Sequence, residues 1–327
     1  MNSSLGDRDA FAKYYGYHNT NDSYRYAEKT IYSELGWIIL ICLILITCCT
    51  GFVGNGYVIW LLGFQIKRNA FTTFVLNLAI ADFGFLILTA LRYINKATDI
   101  TEDYIFNFIC AFFYQIMYIN SHFLLTAISI DRCVSVLFPI WHRCSQPKYL
   151  SPAVCALLWI FSFLLGGIHN IMLFMGVFEY YHLPSLHYLV TAVLCLPSIA
   201  VSTVILFIKI GLKSKQKKRG RLLLMILITL LCYLILAFPL NVSRVLVWHF
   251  RIRTSPRLPF LIIMLCSCLN SSINPVIYFL FGRRKQAQSK EGLKIILQKV
   301  FKEGEAPGAT EKSSNPAPLH FFLRNLE

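Results

Sequence analysis

Seven long runs of apolar residues follow one another along the chain, and short segments with charged residues separate them. An α-helix needs about 20 residues to cross the hydrocarbon core of a bilayer, and each run reaches that length. An open strand would leave backbone amides unpaired in lipid, so we predict that the runs are helices. The pattern predicts an all-α membrane protein built as a seven-transmembrane helix bundle. The runs cover approximately residues 35–62, 71–91, 105–137, 150–175, 184–208, 222–242 and 258–281.

Polar or amphipathic segments flank the bundle, which we assign to residues 35–281. Residues 1–34 are polar and tyrosine-rich without the features of a signal peptide, and we predict an extracellular tail. Residues 282–302 place apolar side chains on one helical face and lysines on the other, which predicts a short amphipathic eighth helix at the membrane surface. Residues 303–327 contain Pro, Ser and Glu, and we predict a disordered cytoplasmic tail.

Composition and charge fix the expected orientation. Hydrophobic residues make up 56% of the chain and charged residues only 14%, whereas a soluble protein carries about 25% charged residues. The net charge of +15 is compatible with nucleic-acid binding, but 21 of the 31 Lys and Arg residues fall on one side of the predicted topology. Basic residues collect on the cytoplasmic side of membrane proteins. We therefore expect a plasma-membrane protein with an extracellular N-terminus and the lipid bilayer, not nucleic acid, as its partner.

Two glycosylation sequons lie in the predicted extracellular tail, at Asn2 and Asn21. Each fits a glycosylated segment outside the cell. The same pattern at Asn241 and Asn270 falls within predicted spans, where no glycan could be attached.

One carboxylate, Asp82, lies in the middle of the second span. An ionisable group in lipid costs several kcal/mol, so each one points to a function. Asp82 fits either a protonated acid hydrogen-bonded to a neighbouring helix or a site for a hard cation such as sodium, and the spacing leaves both open. The oxygen-bearing residues at comparable depth are Ser121, Asn270, Ser271 and Asn274.

Every span carries a characteristic residue or short motif, and together these resemble the rhodopsin-like (class A) G protein-coupled receptors. Residues 135–144 and 154–159 also resemble the Mas-related receptors within that class. Pro275 removes a helical hydrogen bond, and we expect Asn274 to pair the freed backbone group. In chain order, the motifs are Gly54-Asn55, Asp82, Asp131-Arg132-Cys133, Trp159, Pro197, Pro239 and Asn274-Pro275-Val276-Ile277-Tyr278.

The resemblance implies a receptor that binds an extracellular ligand and activates a heterotrimeric G protein. The sixth helix would move outward about Pro239, so that Arg132 and Tyr278 face the G protein. The resemblance adds Asp131, Asn274 and Pro275 to this activation switch. Few Ser or Thr residues are present in the C-terminal tail, so we expect weak arrestin recruitment.

Several positions depart from the common class A pattern. The acid of the sixth helix that restrains the arginine of the third is replaced by Arg219, which predicts basal signalling. The usual outer disulfide has no cysteine in the loop of residues 176–183, as in Mas-related receptors, and we expect Cys110 to be a free, buried thiol.

The ligand is expected to be an anionic peptide or small acid first, and a cationic peptide second. The position at which amine receptors carry an acid is Tyr114, and a position at which some Mas-related receptors carry one is His169. Basic residues at the outer side suit a carboxylate. The predicted ligand-binding residues are Arg92, Lys96, Tyr114, His169, Glu179 and Arg244.

Other functional classes have less support in the sequence. No metal-ligand cluster, nucleophile with a base, or phosphate-binding loop indicates an enzyme, and no cofactor is expected apart from a sodium ion. A small transporter would show internal repeats, which are absent from the sequence. A receptor-like protein that binds ligand without coupling remains an alternative.

Overall fold

The computed structural model describes the greater part of the predicted bundle, and the described residues form helices without any strand. The predicted tails and eighth helix, together with Pro239, Glu179, Arg244, Asn2 and Asn21, lie outside this part. The described residues are 35–66, 68–98, 104–144, 147, 149–175, 186–212, 220–237, 241–242 and 257–283.

Within the described residues, seven helices occupy the seven predicted runs. Six of them are long and apolar enough to cross a bilayer, and the remaining one, in the sixth run, is apolar over the shorter segment Leu223–Leu236. A six-residue helix, Pro139–Cys144, lies between the third and fourth. The bounds are α1, Leu35–Gln65; α2, Ala70–Thr98; α3, Tyr104–Leu137; α4, Leu150–Phe174; α5, Leu186–Val190, a π-helical turn Thr191–Cys195 and Leu196–Leu212; α6, Gly220–Leu236; and α7, Arg257–Arg283.

Helix α2 begins with a reciprocal pair of capping bonds. The Thr72 backbone N–H donates to Asn69 Oδ1 at 2.7 Å, and the Asn69 N–H lies 2.7 Å from Thr72 Oγ1. Such bonds pair amides that have no partner within the first turn. At its other end α2 runs to Thr98, beyond the predicted end at Leu91, because Arg92 and Lys96 are exposed and do not interrupt the helix.

The surface of the bundle is apolar, while polar side chains lie inside. Phe207, Val53 and Ile235 are 68%, 68% and 70% exposed. The interior holds Asp82, Asn120 and Ser129 at 0% exposure beside large apolar side chains. This distribution is the one that a bundle surrounded by lipid requires.

Helix α3 runs through the centre of the bundle and packs against α2, α4, α5 and α6. Cys110 near its start is buried and free, as predicted. Because α3 contacts four other long helices, its side chains take part in contacts along the whole length of the bundle.

Helix α7 continues through Pro275, and a side chain of α1 pairs the backbone carbonyl that the proline leaves without a partner. Proline has no backbone N–H, so the carbonyl of Ser271, four residues earlier, loses its helical partner. Asn55 Nδ2 of α1 donates to this carbonyl at 3.1 Å and to the Gly51 carbonyl at 3.0 Å. The prediction that Asn274 pairs this carbonyl was wrong, because the Asn274 amide donates to Asp82 instead.

Candidate functional site

A buried polar cluster surrounds Asp82, which is 0% exposed. Ser121 Oγ of α3 donates to Asp82 Oδ1 at 2.7 Å, and Asn274 Nδ2 of α7 donates to Asp82 Oδ2 at 2.9 Å. The Ser271 hydroxyl is a third hydrogen-bond partner of the carboxylate. The cluster therefore joins α2, α3 and α7 through one carboxylate.

The donor set of this cluster fits a small hard cation. It offers carboxylate, hydroxyl and amide oxygens, which are the ligands that such ions prefer. Asn274 Oδ1 is buried and accepts no hydrogen bond from the described residues, so it is a further oxygen available to an ion. Asn270 is also buried, one turn before Asn274, but it is not among the described hydrogen-bond partners of Asp82.

The second polar group lies at the far end of α3, where Arg132 pairs with its neighbour Asp131. Arg132 Nε donates to Asp131 Oδ2 at 2.9 Å, and a terminal guanidinium nitrogen contacts the same oxygen. The guanidinium also lies over the Phe71 ring, 4.4 Å from its centroid. With only 4% of the residue exposed, these contacts hold Arg132 inside the bundle.

Asp131 has a second partner outside α3. Nε2 of His142, from the short helix Pro139–Cys144, donates to Asp131 Oδ1 at 3.1 Å. Neither His142 nor Phe71 was predicted from the sequence as part of this group. Both lie outside the helix that carries the motif, so only their packing reveals them.

Tyr278, the other switch residue predicted to face a G protein, is buried in the apolar core near this end. It is 5% exposed and belongs to the cluster that contains Leu230 and Tyr233 of α6. Asn274 and Pro275 precede it by about one turn on α7. The structure thus places α6 side chains and two residues of the α7 motif, Ile277 and Tyr278, in one packed cluster.

The third group lines an open cleft at the opposite end of α3. The Arg92 guanidinium lies over the Tyr114 ring, 4.8 Å from its centroid, and the Tyr114 hydroxyl donates to Met264 Sδ at 3.5 Å. The cleft thus combines two cationic side chains with aromatic and apolar walls. Its lining residues are Thr89, Arg92, Tyr93, Lys96, Tyr114, Phe260 and Met264.

The structure brings three predicted ligand residues, Arg92, Lys96 and Tyr114, to this cleft. His169 does not line it. It lies beside His187 of α5, with ring centroids 5.3 Å apart, and His187 Nε2 lies 2.8 Å from Gln115 Nε2 of α3. The apolar lining residues carried no signal in the sequence because similar residues occur throughout every span.

This architecture, with an interior acid, a paired arginine at one end of α3 and a cleft at the other, defines a membrane receptor. The model of the family "7 transmembrane receptor (rhodopsin family)" matches residues 54–278. Mouse Mas-related G-protein coupled receptor member X1 is 34% identical over 275 residues, which cover 80% of this chain and 83% of that receptor.

Two further relatives show a similar likeness. Human proto-oncogene Mas is 33% identical, over 81% of this chain and 84% of that protein. Human Mas-related G-protein coupled receptor member F is 33% identical, over 81% of this chain and 80% of that receptor. The chain therefore belongs to the Mas-related G protein-coupled receptors of the rhodopsin family. It is a multi-pass membrane receptor and not an enzyme.

Proposed function

We propose that this receptor binds an extracellular peptide or small molecule that carries a carboxylate, and that it activates a heterotrimeric G protein from the plasma membrane. The observation that carries the proposal is the convergence of Arg92 and Lys96 on one cleft beside Tyr114. Tyr114 and Arg132 lie on the same helix, about 27 Å apart at 1.5 Å per residue. One rigid element thus connects the proposed ligand site with the proposed coupling site.

The cleft geometry supports an acidic ligand with an apolar part. A carboxylate between Arg92 and Lys96 would form charge-assisted hydrogen bonds, which are stronger than neutral ones. Phe260 and Met264 of α7 would contact the apolar part. A ligand placed there touches α2, α3 and α7, and it shifts the conformational equilibrium if it binds one state more tightly than the other.

At the opposite end, coupling requires Arg132 to leave Asp131 and face the G protein. We propose that α6 moves outward about Pro239 and opens a cavity beside Arg132 and Tyr278. The described contacts restrain Arg132 through its neighbour Asp131 and the Phe71 ring. Such a local restraint supports basal signalling, because the sequence has Arg219 at the position where many receptors have an acid.

The ligand proposal is tested with pairs of compounds that differ only in charge, a carboxylic acid and its amide. For an acid that activates the receptor, we expect Arg92→Ala to lower the potency about tenfold or more. This is the effect of losing a hydrogen bond between charged groups, which contributes about 1.5–3 kcal/mol. The amide of the same compound should lose much less. G protein activation in cells that express equal amounts of each variant measures both potencies.

Arg68→Ala is the matched control, because Arg68 is exposed in the segment between α1 and α2, at the other end of α2. An equal potency loss for acid and amide at Arg92→Ala would contradict the acidic-ligand proposal. A response to cationic peptides alone would favour the second ligand class. Binding without any G protein activation would favour the non-coupling alternative.

We also propose that Asp82, Ser121, Ser271 and Asn274 hold a sodium ion. The bound ion would supply a positive charge to the buried carboxylate, while these side chains position α2, α3 and α7 around it. Asn270 was predicted as a further ligand of this ion. It is buried on α7, one turn before Asn274, and we retain it as a more distant residue of the proposed site.

Sodium should raise the thermal unfolding midpoint of the purified wild-type receptor relative to choline at equal ionic strength. An ion present at ten times its dissociation constant stabilises the folded state by about 1.4 kcal/mol. Asp82→Asn should lose this sodium dependence, because it removes the carboxylate charge while keeping a side chain of similar size. Equal sodium dependence in Asp82→Asn and wild type would rule out the site, whatever the signalling activity.

A further inference from the structure

Two cysteines meet between α1 and α7 in the interior of the bundle. The Cys48 thiol of α1 donates to the sulfur of Cys268 of α7, and the two Sγ atoms lie 3.8 Å apart. Cys48 is 2% exposed and Cys268 is 0% exposed, and both are free cysteines. The proposed ligand, sodium and coupling sites use neither side chain.

The separation of the two sulfurs fits a metal ion held between them. Zinc in tetrahedral coordination binds thiolate sulfur at about 2.3 Å, which places two such sulfurs about 3.8 Å apart. The sulfurs of Cys48 and Cys268 already lie at this distance. An ion can therefore bind both sulfurs without a change in the spacing of α1 and α7.

Close packing of α1 on α7 holds the two cysteines in place. One turn beyond Cys268, Ser272 Oγ donates to the Thr47 carbonyl of α1 at 3.0 Å. Gly51 allows this approach, since a Cβ atom there would lie 2.1 Å from the same Oγ. A site whose helices are already packed needs little ordering when an ion binds, which favours affinity.

The cysteine pair lies beside the ligand cleft. Thr89, which lines the cleft, is a hydrogen-bond partner of the Cys268 side chain. Met264 also lines the cleft, and it lies four residues before Cys268 and thus on the same face of α7. Its Sδ accepts a hydrogen bond from the Tyr114 hydroxyl at 3.5 Å. The cleft therefore gives an ion a route to the thiols and offers a third sulfur next to them.

Two thiols are a small ligand set, and this limits the kind of site. The described residues contain no group of three or more His, Cys, Asp and Glu side chains that could hold a metal ion. An ion between the cysteines would therefore keep open positions for water, for the thioether or for a ligand in the cleft. Two thiolates balance the charge of one zinc ion, so the complex adds no net charge to the apolar interior.

We propose that Cys48 and Cys268 bind a thiophilic metal ion, Zn²⁺ or Cu⁺, which links α1 to α7 beside the ligand cleft. On binding Zn²⁺, each thiol loses its proton to solvent and forms one metal–sulfur bond. Thr89 supplies a hydrogen bond that orients the Cys268 sulfur, as partners of metal ligands commonly do. The inference is independent of the proposed function, because metal binding requires neither a ligand nor a G protein.

Zinc X-ray absorption of the purified full-length receptor tests the site without any substitution. The receptor is kept reduced, freed of metal with a chelator and then loaded with one equivalent of Zn²⁺. We expect two sulfur ligands at about 2.3 Å from the ion. Nitrogen and oxygen ligands alone would overturn the proposal. A Cys48–Cys268 disulfide in receptor isolated from cells without reductant would also overturn it.

Substitutions assign the sulfur ligands to these two cysteines. Cys48→Ala and Cys268→Ala should each weaken Zn²⁺ binding about tenfold or more, since even the loss of a hydrogen bond to a metal ligand weakens binding roughly 10- to 100-fold. Alanine suits the test because a buried cysteine behaves as a small apolar side chain. Cys49→Ala and Cys266→Ala, in the same two helices, are the matched controls and should bind like wild type. Equal losses in the controls and in the pair would overturn the assignment.

Thermal unfolding provides a second readout for the same variants. Zn²⁺ should raise the unfolding midpoint of wild type relative to an equal concentration of Mg²⁺, because an ion bound only by the folded state stabilises it. The Cys48→Ala/Cys268→Ala double variant should lack this rise. The two ions are compared within each variant, so a general loss of stability does not affect the result. An equal rise in the double variant and wild type would overturn the proposal.

Met264→Leu distinguishes the two ions. A thioether is a soft ligand that suits Cu⁺, whereas zinc sites use Cys, His and carboxylate side chains. Leucine keeps a similar volume at this position. Wild-type binding of Cu⁺ that is tighter than binding of Zn²⁺, and that weakens in Met264→Leu, assigns the site to copper. Tighter Zn²⁺ binding that Met264→Leu leaves unchanged assigns it to zinc. Competition with a coloured chelator measures both affinities, and a wild-type receptor that binds neither ion would overturn the proposal.

Discussion

Arg132→Ala is expected to abolish both basal and ligand-stimulated G protein activation while the receptor still reaches the cell surface. Arg132 lies at the end of α3 where we propose that the G protein binds, and Asp131 and the Phe71 ring hold it inside the bundle. Its replacement removes the group that would face the G protein. Asp131 would remain hydrogen-bonded to His142, so no buried carboxylate is left without a partner. Second-messenger assays across the main G protein subtypes, corrected for surface expression, measure the loss.

Two further variants control this prediction by acting on the restraint of Arg132 instead of its contact with the G protein. Asp131→Asn removes the charge that holds Arg132, and basal activity should rise. Arg219→Glu supplies the acid that many receptors carry at this position of the sequence, and basal activity should fall. Wild-type signalling that persists in Arg132→Ala would show that coupling does not depend on this arginine. Equal basal activity in wild type and Arg219→Glu would contradict the view that a missing acid leaves the resting state weakly held.

The sequence predicted the fold because lipid imposes simple constraints on a chain. Seven apolar runs could only be helices, and the described helices occupy all of them. Helix ends were less predictable, as α2 shows, since charged side chains at the membrane surface end the hydropathy signal before the helix ends. The family followed from ordered motifs, each of which is weak alone.

The candidate site was only partly predictable, because hydrogen-bond partners depend on packing across helices. Asp82 and three of its proposed oxygen neighbours could be chosen by depth in the membrane, and the structure joins them. The role of Asn55 could not be found in this way. Its partner is the carbonyl freed by Pro275, more than 200 residues away in sequence, and a nearer asparagine offered a simpler assignment.

The contact between α1 and α7 gives the prediction with the largest expected effect on stability. A Cβ atom at Gly51 would lie 2.1 Å from Ser272 Oγ, 2.6 Å from Leu86 Cδ1 and 2.8 Å from Ser272 Cβ. Gly51→Val therefore forces α1 away from α7. The shift would also break the 3.0 Å bond from Ser272 Oγ to the Thr47 carbonyl. We expect a destabilisation of about 1–3 kcal/mol from overpacking.

At roughly 2–4 °C per kcal/mol, this cost lowers the thermal unfolding midpoint of the purified receptor by roughly 2–12 °C. Gly63 in the same helix is the matched control, because a Cβ atom there would have no neighbour within 4 Å. Gly63→Ala should be neutral or stabilising by up to about 1 kcal/mol, since alanine favours a helix more than glycine does. Equal midpoints for Gly51→Val and wild type would mean that α1 does not pack this closely on α7. In that case the Asn55 bond to the Ser271 carbonyl, which depends on the same close approach, would lose its support.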